Sequence, residues 1–187
     1  FLSAVVSRYK NDPTVAGWIV GNEYGYLGLW SGKQDGYDTD CENAFRNWLS
    51  NYYGADINKL NSVWGTSYSS FSQVVMPETY NRDNPAWWDL VQWREDSAAN
   101  FVAIGAKAVK TADPNHLISY STVGMQWGEE DWRYHAEDGV KIVKACKDIA
   151  APLDFWSINN YPWALLGHES QTGQWGVLAA KWRTGLP

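Results

Sequence analysis

A carboxylate and a carboxamide stand side by side directly after a short apolar run. Asn22 and Glu23 follow residues 15–20 (VAGWIV). A carboxyl group beside apolar side chains is partly desolvated, which raises its pKa. Such an acid can protonate the oxygen of a glycosidic leaving group and afterwards accept a proton from water. Asn22 can hydrogen-bond a sugar hydroxyl or orient Glu23. The same dipeptide also begins ordinary loops, so both interpretations stand at this point.

Two further apolar runs are also followed by polar and aromatic side chains. The runs are residues 117–123 (LISYSTV) and 154–158 (DFWSI). Aromatic rings stack on the apolar faces of sugars, and amide groups hydrogen-bond sugar hydroxyls. The candidates for substrate contact are Trp127, Asn160, Tyr161 and Trp163. Packing is the alternative role for the three rings among them.

The elements that must position these residues alternate along the chain. The three apolar runs predict strands, and the first is typical of a strand buried on both faces. Periodic segments predict helices over about 2–10, 40–53, 86–111, 136–150 and 174–183. Alternating strands and helices predict an α/β fold with a parallel sheet. In such folds functional groups collect at the carboxyl ends of the strands, where all of the candidate residues fall.

Composition excludes several classes of protein. The 187 residues suggest about one domain, and 45% hydrophobic with 19% charged residues favours a packed globular chain. A net charge of -6 without a basic run argues against a nucleic-acid partner. Each apolar stretch is too short to span a membrane. Cys41 and Cys146 form no CxxC pair, so we expect buried free thiols and neither a zinc site nor a disulfide framework.

The chain resembles the clan A glycoside hydrolases and, within them, family 42, the β-galactosidase group. The run DPTVAGWIVGNEYG is similar to the fourth barrel strand of the clan, which ends in Asn-Glu. Residues 41–71 (CENAFRNWLSNYYGADINKLNSVWGTSYSSF) resemble a family 42 helix with a Phe-Arg-x-Trp-Leu core and the segments that follow it. Residues 154–163 (DFWSINNYPW) are similar to the sixth strand of the family.

This resemblance implies a (β/α)8 barrel of which the chain supplies about strands four to six with their helices. It implies a retaining mechanism with Glu23 as acid/base and Asn22 beside it as a sugar contact. The nucleophile belongs at the end of the seventh strand, which we expect to lie outside residues 1–187, and we expect both ends of the chain to be incomplete. Family members are often trimers, which implies a homo-oligomer. Some bind zinc through a cysteine cluster, but Cys41 alone does not form one.

The aromatic residues, which include 13 Trp and 11 Tyr, are given expected places by the elements on which they lie. We expect Trp18 to face the barrel interior. The rings at helical spacing are expected in the core; they are Trp48, Trp64, Trp93 and Phe101. The rings that follow the strands, Trp127, Tyr161 and Trp163, are then the candidates for sugar contact, with packing as their alternative role.

Other readings of the same residues remain open at the level of sequence. Glu129, Glu130, Asp131 and Glu169 lie in polar segments, where carboxylates are usually solvated, so we do not expect a nucleophile among them. A different clan A specificity, such as a mannanase, cellulase or agarase, also fits Trp-lined loops. A non-catalytic carbohydrate-binding module would need many short strands, against which the long helix argues. An inactive barrel that serves as an interaction surface is the remaining alternative.

Overall fold

The structure, a computed structural model, describes residues 1–24, 36–78, 81, 83–123 and 139–159. The elements in chain order are α1 Leu2–Tyr9, β1 Gly17–Asn22, α2 Thr39–Tyr52, α3 Ile57–Trp64, a 3-10 turn Phe71–Gln73, α4 Pro85–Ala112, β2 Leu117–Val123, α5 Gly139–Asp148 and β3 Phe155–Asn159. Strands and helices alternate as the sequence predicted. The helix expected over 174–183 lies outside the described residues.

Side-chain caps fix where the long helices begin. The carboxylate of Asp38 accepts hydrogen bonds from two backbone N–H groups at the start of α2. Asn84 does the same for Ala86 at the start of α4, where Pro85 occupies the first helical position. A side-chain oxygen there satisfies an N–H group that has no partner within the helix, and proline has no such N–H to satisfy. These caps fix the first turn of α2 and of α4.

The three strands form one parallel sheet in the order β1-β2-β3. In the register, Trp18 pairs with Ile118 on β2, and Tyr120 pairs with Trp156 on β3. All three carboxyl ends therefore lie at the same edge. The expectation of an α/β fold with a parallel sheet is confirmed.

One face of the sheet packs against the helices, and we call it the helix face. Its core joins side chains of the strands to α1, α4 and α5, and it includes Val20, Ile118, Tyr120 and Val102. Trp18 also packs against this core. The expectation that Trp18 faces a barrel interior is therefore wrong. The Trp18 indole lies on the helix face instead, where its ring N–H donates a hydrogen bond to Asp113 Oδ2 at 2.9 Å.

The opposite face of the sheet, which we call the open face, carries the residues that alternate with the helix-face residues. Ile19, Ser119 and Phe155 lie in one row across the three strands. Ile19 is 60% exposed, so the expectation that β1 is buried on both faces is wrong, and β3 is also open on this face, where Phe155 is 47% exposed. Burial of both faces is typical of parallel sheets, so this row presents apolar surface that other elements normally cover.

A second core lies beside the sheet, where α2 and α3 pack on the first half of α4. Its buried side chains include Phe45, Leu49, Leu60 and Trp87. Trp93 is buried here, and Trp48 and Trp64 pack against it as expected. Phe101 is 58% exposed, so its assignment to the core is wrong. Phe101 packs instead against Tyr24, at the end of β1, with ring centroids 4.9 Å apart.

The turn that links α4 to β2 is organised by the buried carboxylate of Asp113. It accepts hydrogen bonds from the Trp18 indole and from the backbone N–H groups of Asn115 and His116. Burial raises the pKa of Asp113, but these hydrogen bonds together with the His116 ring more than offset it and lower the pKa to about 2. The ionised carboxylate is thus the form that the fold prefers.

This preference gives a pH prediction for Asp113. A folded-state pKa below the ordinary value of 3.8 contributes stability that is present above about pH 4 and is lost as the pH falls toward about 2. Asp113→Asn removes the ionisable group but keeps the shape. We expect the wild type to melt at a higher temperature than this variant at pH 6, and the difference to shrink between pH 4 and pH 2. A difference that stays constant over that range would contradict the assignment.

Candidate active site

The geometry of the site begins with an irregularity in β1. Ile19 pairs with Ser119 and Asn22 with Ser121, so three steps along β1 match two steps along β2. An extra residue in one strand is a β-bulge, and it reverses the face on which the following side chains lie. Asn22 therefore falls in the same row as Ser121 on the open face rather than beside Trp18 and Val20. The bulge brings the Asn22 carboxamide to the open face at the carboxyl edge of the sheet.

Glu23 follows as the first residue beyond β1. Its backbone N–H donates to the carbonyl oxygen of Ser121 at 2.9 Å, which continues the ladder past the end of the strand. Its backbone is left-handed, with φ 54°, and its side chain is half-buried. The sequence placed Glu23 and Asn22 at a strand end, and the structure brings both to the edge where the three strands finish.

Tyr24 turns back over the strand that precedes it. Its N–H donates to the Tyr120 hydroxyl at 2.8 Å, and its own hydroxyl donates to the carbonyl oxygen of Val20 at 3.2 Å. A Cβ atom on Gly21 would lie 2.2 Å from the Tyr24 ring, so any side chain at residue 21 would displace the ring. The ring also packs edge-on against Phe101. The backbone of Glu23 is thus held by its own hydrogen bond to Ser121 and by the anchored Tyr24 that follows it.

The polar row at the carboxyl edge runs across all three strands. Asn22, Ser121 and Ser157 are in register there, one row beyond Ser119 and the apolar Ile19 and Phe155. The open face therefore changes from largely apolar to polar in the direction of Glu23. Amide, hydroxyl and carboxyl groups at one edge are what the binding of a polyhydroxylated ligand requires.

The other predicted contact residues cannot be placed in this geometry. Trp127, Asn160, Tyr161 and Trp163 lie outside the described residues, and so do Glu129, Glu130, Asp131 and Glu169. Within the described part of the chain, no three His, Cys, Asp or Glu side chains are grouped so as to hold a metal ion. Cys146 is buried and Cys41 only half-buried, and both are free thiols. No helix in the described ranges has the length and apolarity to cross a membrane.

Sequence reasoning missed the residues that hold Glu23. Gly21 lies inside β1, and a glycine inside a strand pattern is itself a signal for a bulge or a close approach. Tyr120 and Ser121 were assigned only to a strand. The partners Tyr24 and Tyr120 are 96 positions apart in the chain, and no periodicity connects them.

Three similarities to known proteins bear on this site. The sequence profile of the family described as "Beta-galactosidase", glycoside hydrolase family 42, matches residues 1–183. Beta-galactosidase Bga of Halorubrum lacusprofundi is 32% identical over 127 residues, which are 64% of this chain and 17% of that protein. Beta-galactosidase BgaA of a Thermus species is 29% identical over 168 residues, which are 86% of this chain and 23% of that protein.

A solved structure extends the similarity to the fold. The structure of the polyextremophilic beta-galactosidase from Halorubrum lacusprofundi superposes with a TM-score of 0.63 at 25% identity, over 86% of this chain and 22% of that one. The chain thus spans about a fifth of the length of the relatives that it matches. The profile match confirms the resemblance to family 42.

Proposed function

The chain belongs to glycoside hydrolase family 42, and from this premise we propose that it carries the acid/base residue of an enzyme that hydrolyses terminal β-galactosides. The observation that carries the proposal is the position of Glu23. This residue lies at the carboxyl edge of a parallel sheet, half-buried and directly beside Asn22, at the place where such folds hold their catalytic groups.

The chemistry proposed for Glu23 has two steps. In the first, the protonated carboxyl group gives its proton to the glycosidic oxygen while a second carboxylate attacks the anomeric carbon and the leaving group departs. In the second, the Glu23 carboxylate takes a proton from a water molecule, which attacks the glycosyl-enzyme and frees the second carboxylate. The configuration of the sugar is retained. Asn22 contacts a sugar hydroxyl or orients Glu23.

The second carboxylate belongs, in this proposal, to a part of the barrel that is not among residues 1–187. The chain then forms the central part of a catalytic (β/α)8 barrel, about strands four to six. A barrel of this type usually takes about 250 residues. The exposed Ile19, Leu117 and Phe155 on the open face support the proposal, because the remaining strands would cover them.

The remaining contacts follow from the same proposal. Trp127, Asn160, Tyr161 and Trp163 would contribute stacking and hydrogen bonds to the substrate from the ends of the next two strands. The proposed reaction needs no metal ion or organic cofactor. The intact protein would be a homo-oligomer without a nucleic-acid or membrane partner.

An activity comparison tests this function. We expect the full-length protein to hydrolyse an aryl β-galactoside and to release galactose with its β-configuration, as followed by proton NMR. The purified 187-residue chain is expected to be inactive, because one of the two carboxylates is missing. Turnover by the short chain would contradict the proposed location of the nucleophile. Faster hydrolysis of mannan, cellulose or agarose than of the aryl galactoside would favour the alternative clan A specificity.

A further inference from the structure

The backbone of Glu23 adopts a conformation that needs support. A left-handed φ of 54° costs a residue with a side chain about 1–2 kcal/mol relative to the ordinary regions. Such conformations persist where the surrounding contacts determine them, and they are frequent at active sites. The contacts that hold Glu23 are therefore part of the site.

Hydrogen bonds fix the backbone on both sides of Glu23. The Glu23 N–H is bound to the carbonyl oxygen of Ser121 at 2.9 Å, and the next N–H, that of Tyr24, is bound to the Tyr120 hydroxyl at 2.8 Å. Both acceptors lie on β2, the central strand of the three. Consecutive N–H groups anchored on one strand leave the peptide unit between them little freedom to rotate.

Side-chain packing also holds Tyr24 in its position. The Tyr24 ring lies over Gly21, where a Cβ atom would come within 2.2 Å of it, and its hydroxyl is bound to the carbonyl oxygen of Val20 at 3.2 Å. The rings of Tyr24 and Tyr120 are in contact, with centroids 5.6 Å apart. Tyr24 can occupy this place only because residue 21 has no side chain.

We propose that Tyr24 and Tyr120, with Gly21 beneath them, are positioning residues that set the direction of the Glu23 carboxyl group. The inference rests on the proposed acid/base role of Glu23 and deepens it. A catalytic acid must be held near its productive geometry, and a misplacement of about 1 Å can cost about 100-fold in rate. The pair acts through the backbone of Glu23 and does not touch the substrate.

The test uses the full-length protein and two substrates that differ only in the leaving group. Tyr120→Phe removes the acceptor of the Tyr24 N–H but keeps the ring, and Gly21→Ala displaces the Tyr24 ring. Protonation matters for a poor leaving group such as the glucose of lactose, and little for dinitrophenolate. We expect Tyr120→Phe to lower kcat/KM for lactose about tenfold, with kcat/KM for dinitrophenyl β-galactoside within about twofold of wild type. Gly21→Ala is expected to lower kcat/KM for lactose about 100-fold.

Two controls separate the outcomes. Tyr53→Phe also removes a hydrogen-bonded hydroxyl, one that binds Asp89 outside the site, and it is expected to change stability but not the ratio of the two rates. Glu23→Gln tests the proposed function itself. If Glu23→Gln abolishes lactose hydrolysis while Tyr120→Phe keeps the wild-type ratio, the positioning role is wrong. If Glu23→Gln is fully active, the proposed function is wrong.

Discussion

Replacing Glu23 by glutamine in the full-length protein is expected to lower kcat/KM for lactose by about 10²–10⁴-fold, the usual contribution of a general acid. Glutamine keeps the size of the side chain and its ability to accept a hydrogen bond, but it has no proton to give to the glycosidic oxygen. The loss should be much smaller on dinitrophenyl β-galactoside, whose leaving group departs without protonation. The measurement is kcat/KM for both substrates.

Glu23→Ala gives a second, independent readout of the same role. Without the carboxylate, no group activates water in the second step, so the glycosyl-enzyme accumulates. Azide attacks the anomeric carbon without losing a proton, and it therefore bypasses the missing base. We expect added azide to raise the turnover of dinitrophenyl β-galactoside and to yield galactosyl azide of β-configuration.

A matched control for these variants is Glu42→Gln on α2. Glu42 is a partly exposed carboxylate paired with Arg46 at 3.1 Å, four residues along the same helix. An exposed ion pair of this kind contributes about 0–1 kcal/mol, so the variant is expected to keep kcat/KM within about twofold of wild type. Equal losses for Glu23→Gln and Glu42→Gln would mean that the loss of charge, and not the acid/base role, is measured.

Apart from α3 (Ile57–Trp64), which was not among the predicted helices, the described helices and β2 were predictable from the sequence because their signals are local. The short run at 117–123 (LISYSTV) follows Pro114, and the structure has β2 over the same range, Leu117–Val123. Asn84-Pro85 predicts the start of α4, where an amide cap and a proline occur together. Each of these signals is complete within a few residues of the boundary that it predicts.

The bounds of β1 and the faces of its residues were not predictable in the same way. Residues 15–20 were expected as the strand, whereas it covers Gly17–Asn22. A bulge depends on how β1 pairs with β2. The apolar pattern of one strand does not show how that strand is aligned with its neighbour. The prediction that Asn22 and Glu23 stand at a strand end needed only the local run. The side chain of Trp18 was assigned to the wrong face because its partner, Asp113, comes much later in the chain.

Removal of the buried carboxylate of Asp89, which lies outside the site, is expected to have the largest effect on stability. Asp89 of α4 accepts two hydrogen bonds at the same oxygen, from the Tyr53 hydroxyl at 2.6 Å and from the Trp64 indole at 2.7 Å. Tyr53 follows the end of α2 and Trp64 ends α3, so Asp89 fastens both helices to α4. Burial and the hydrogen bond to Asp89 raise the pKa of Tyr53, which keeps its hydroxyl a donor.

Asp89→Ala is expected to destabilise the packing of α2 and α3 on α4 by about 2–4 kcal/mol. The truncation leaves two donors without their acceptor, and because both are only partly buried each loss costs about 1–2 kcal/mol, the lower part of the usual range. Local opening is measured by hydrogen–deuterium exchange of the backbone amides in the full-length protein. Since about 1.4 kcal/mol is a factor of ten, protection in α2 and α3 should fall roughly 30- to 700-fold. Protection in α5 should not change.

Asp96→Ala is the matched control, because Asp96 lies on the same helix and also accepts an indole N–H, that of Trp48 at 2.9 Å. The Asp96 side chain is 38% exposed, so water can replace it as acceptor. Its ion-pair partner Lys141 keeps a second carboxylate, Glu95, at 3.1 Å. We expect a loss below about 1 kcal/mol. A loss as large as that of Asp89→Ala would show that burial does not decide the cost.

A double-mutant cycle tests whether the unpaired donors cause the loss at Asp89. In the Tyr53→Phe background one of the two donors is already gone, so Asp89→Ala leaves only the Trp64 indole without a partner. The cost of Asp89→Ala should then be smaller by about 1–2 kcal/mol than in the wild type, which is the range expected for directly contacting residues. If the two costs simply add, the hydroxyl and the carboxylate are energetically independent, and the fastening of α2 to α4 must come from Phe45 and Leu49 in the apolar core.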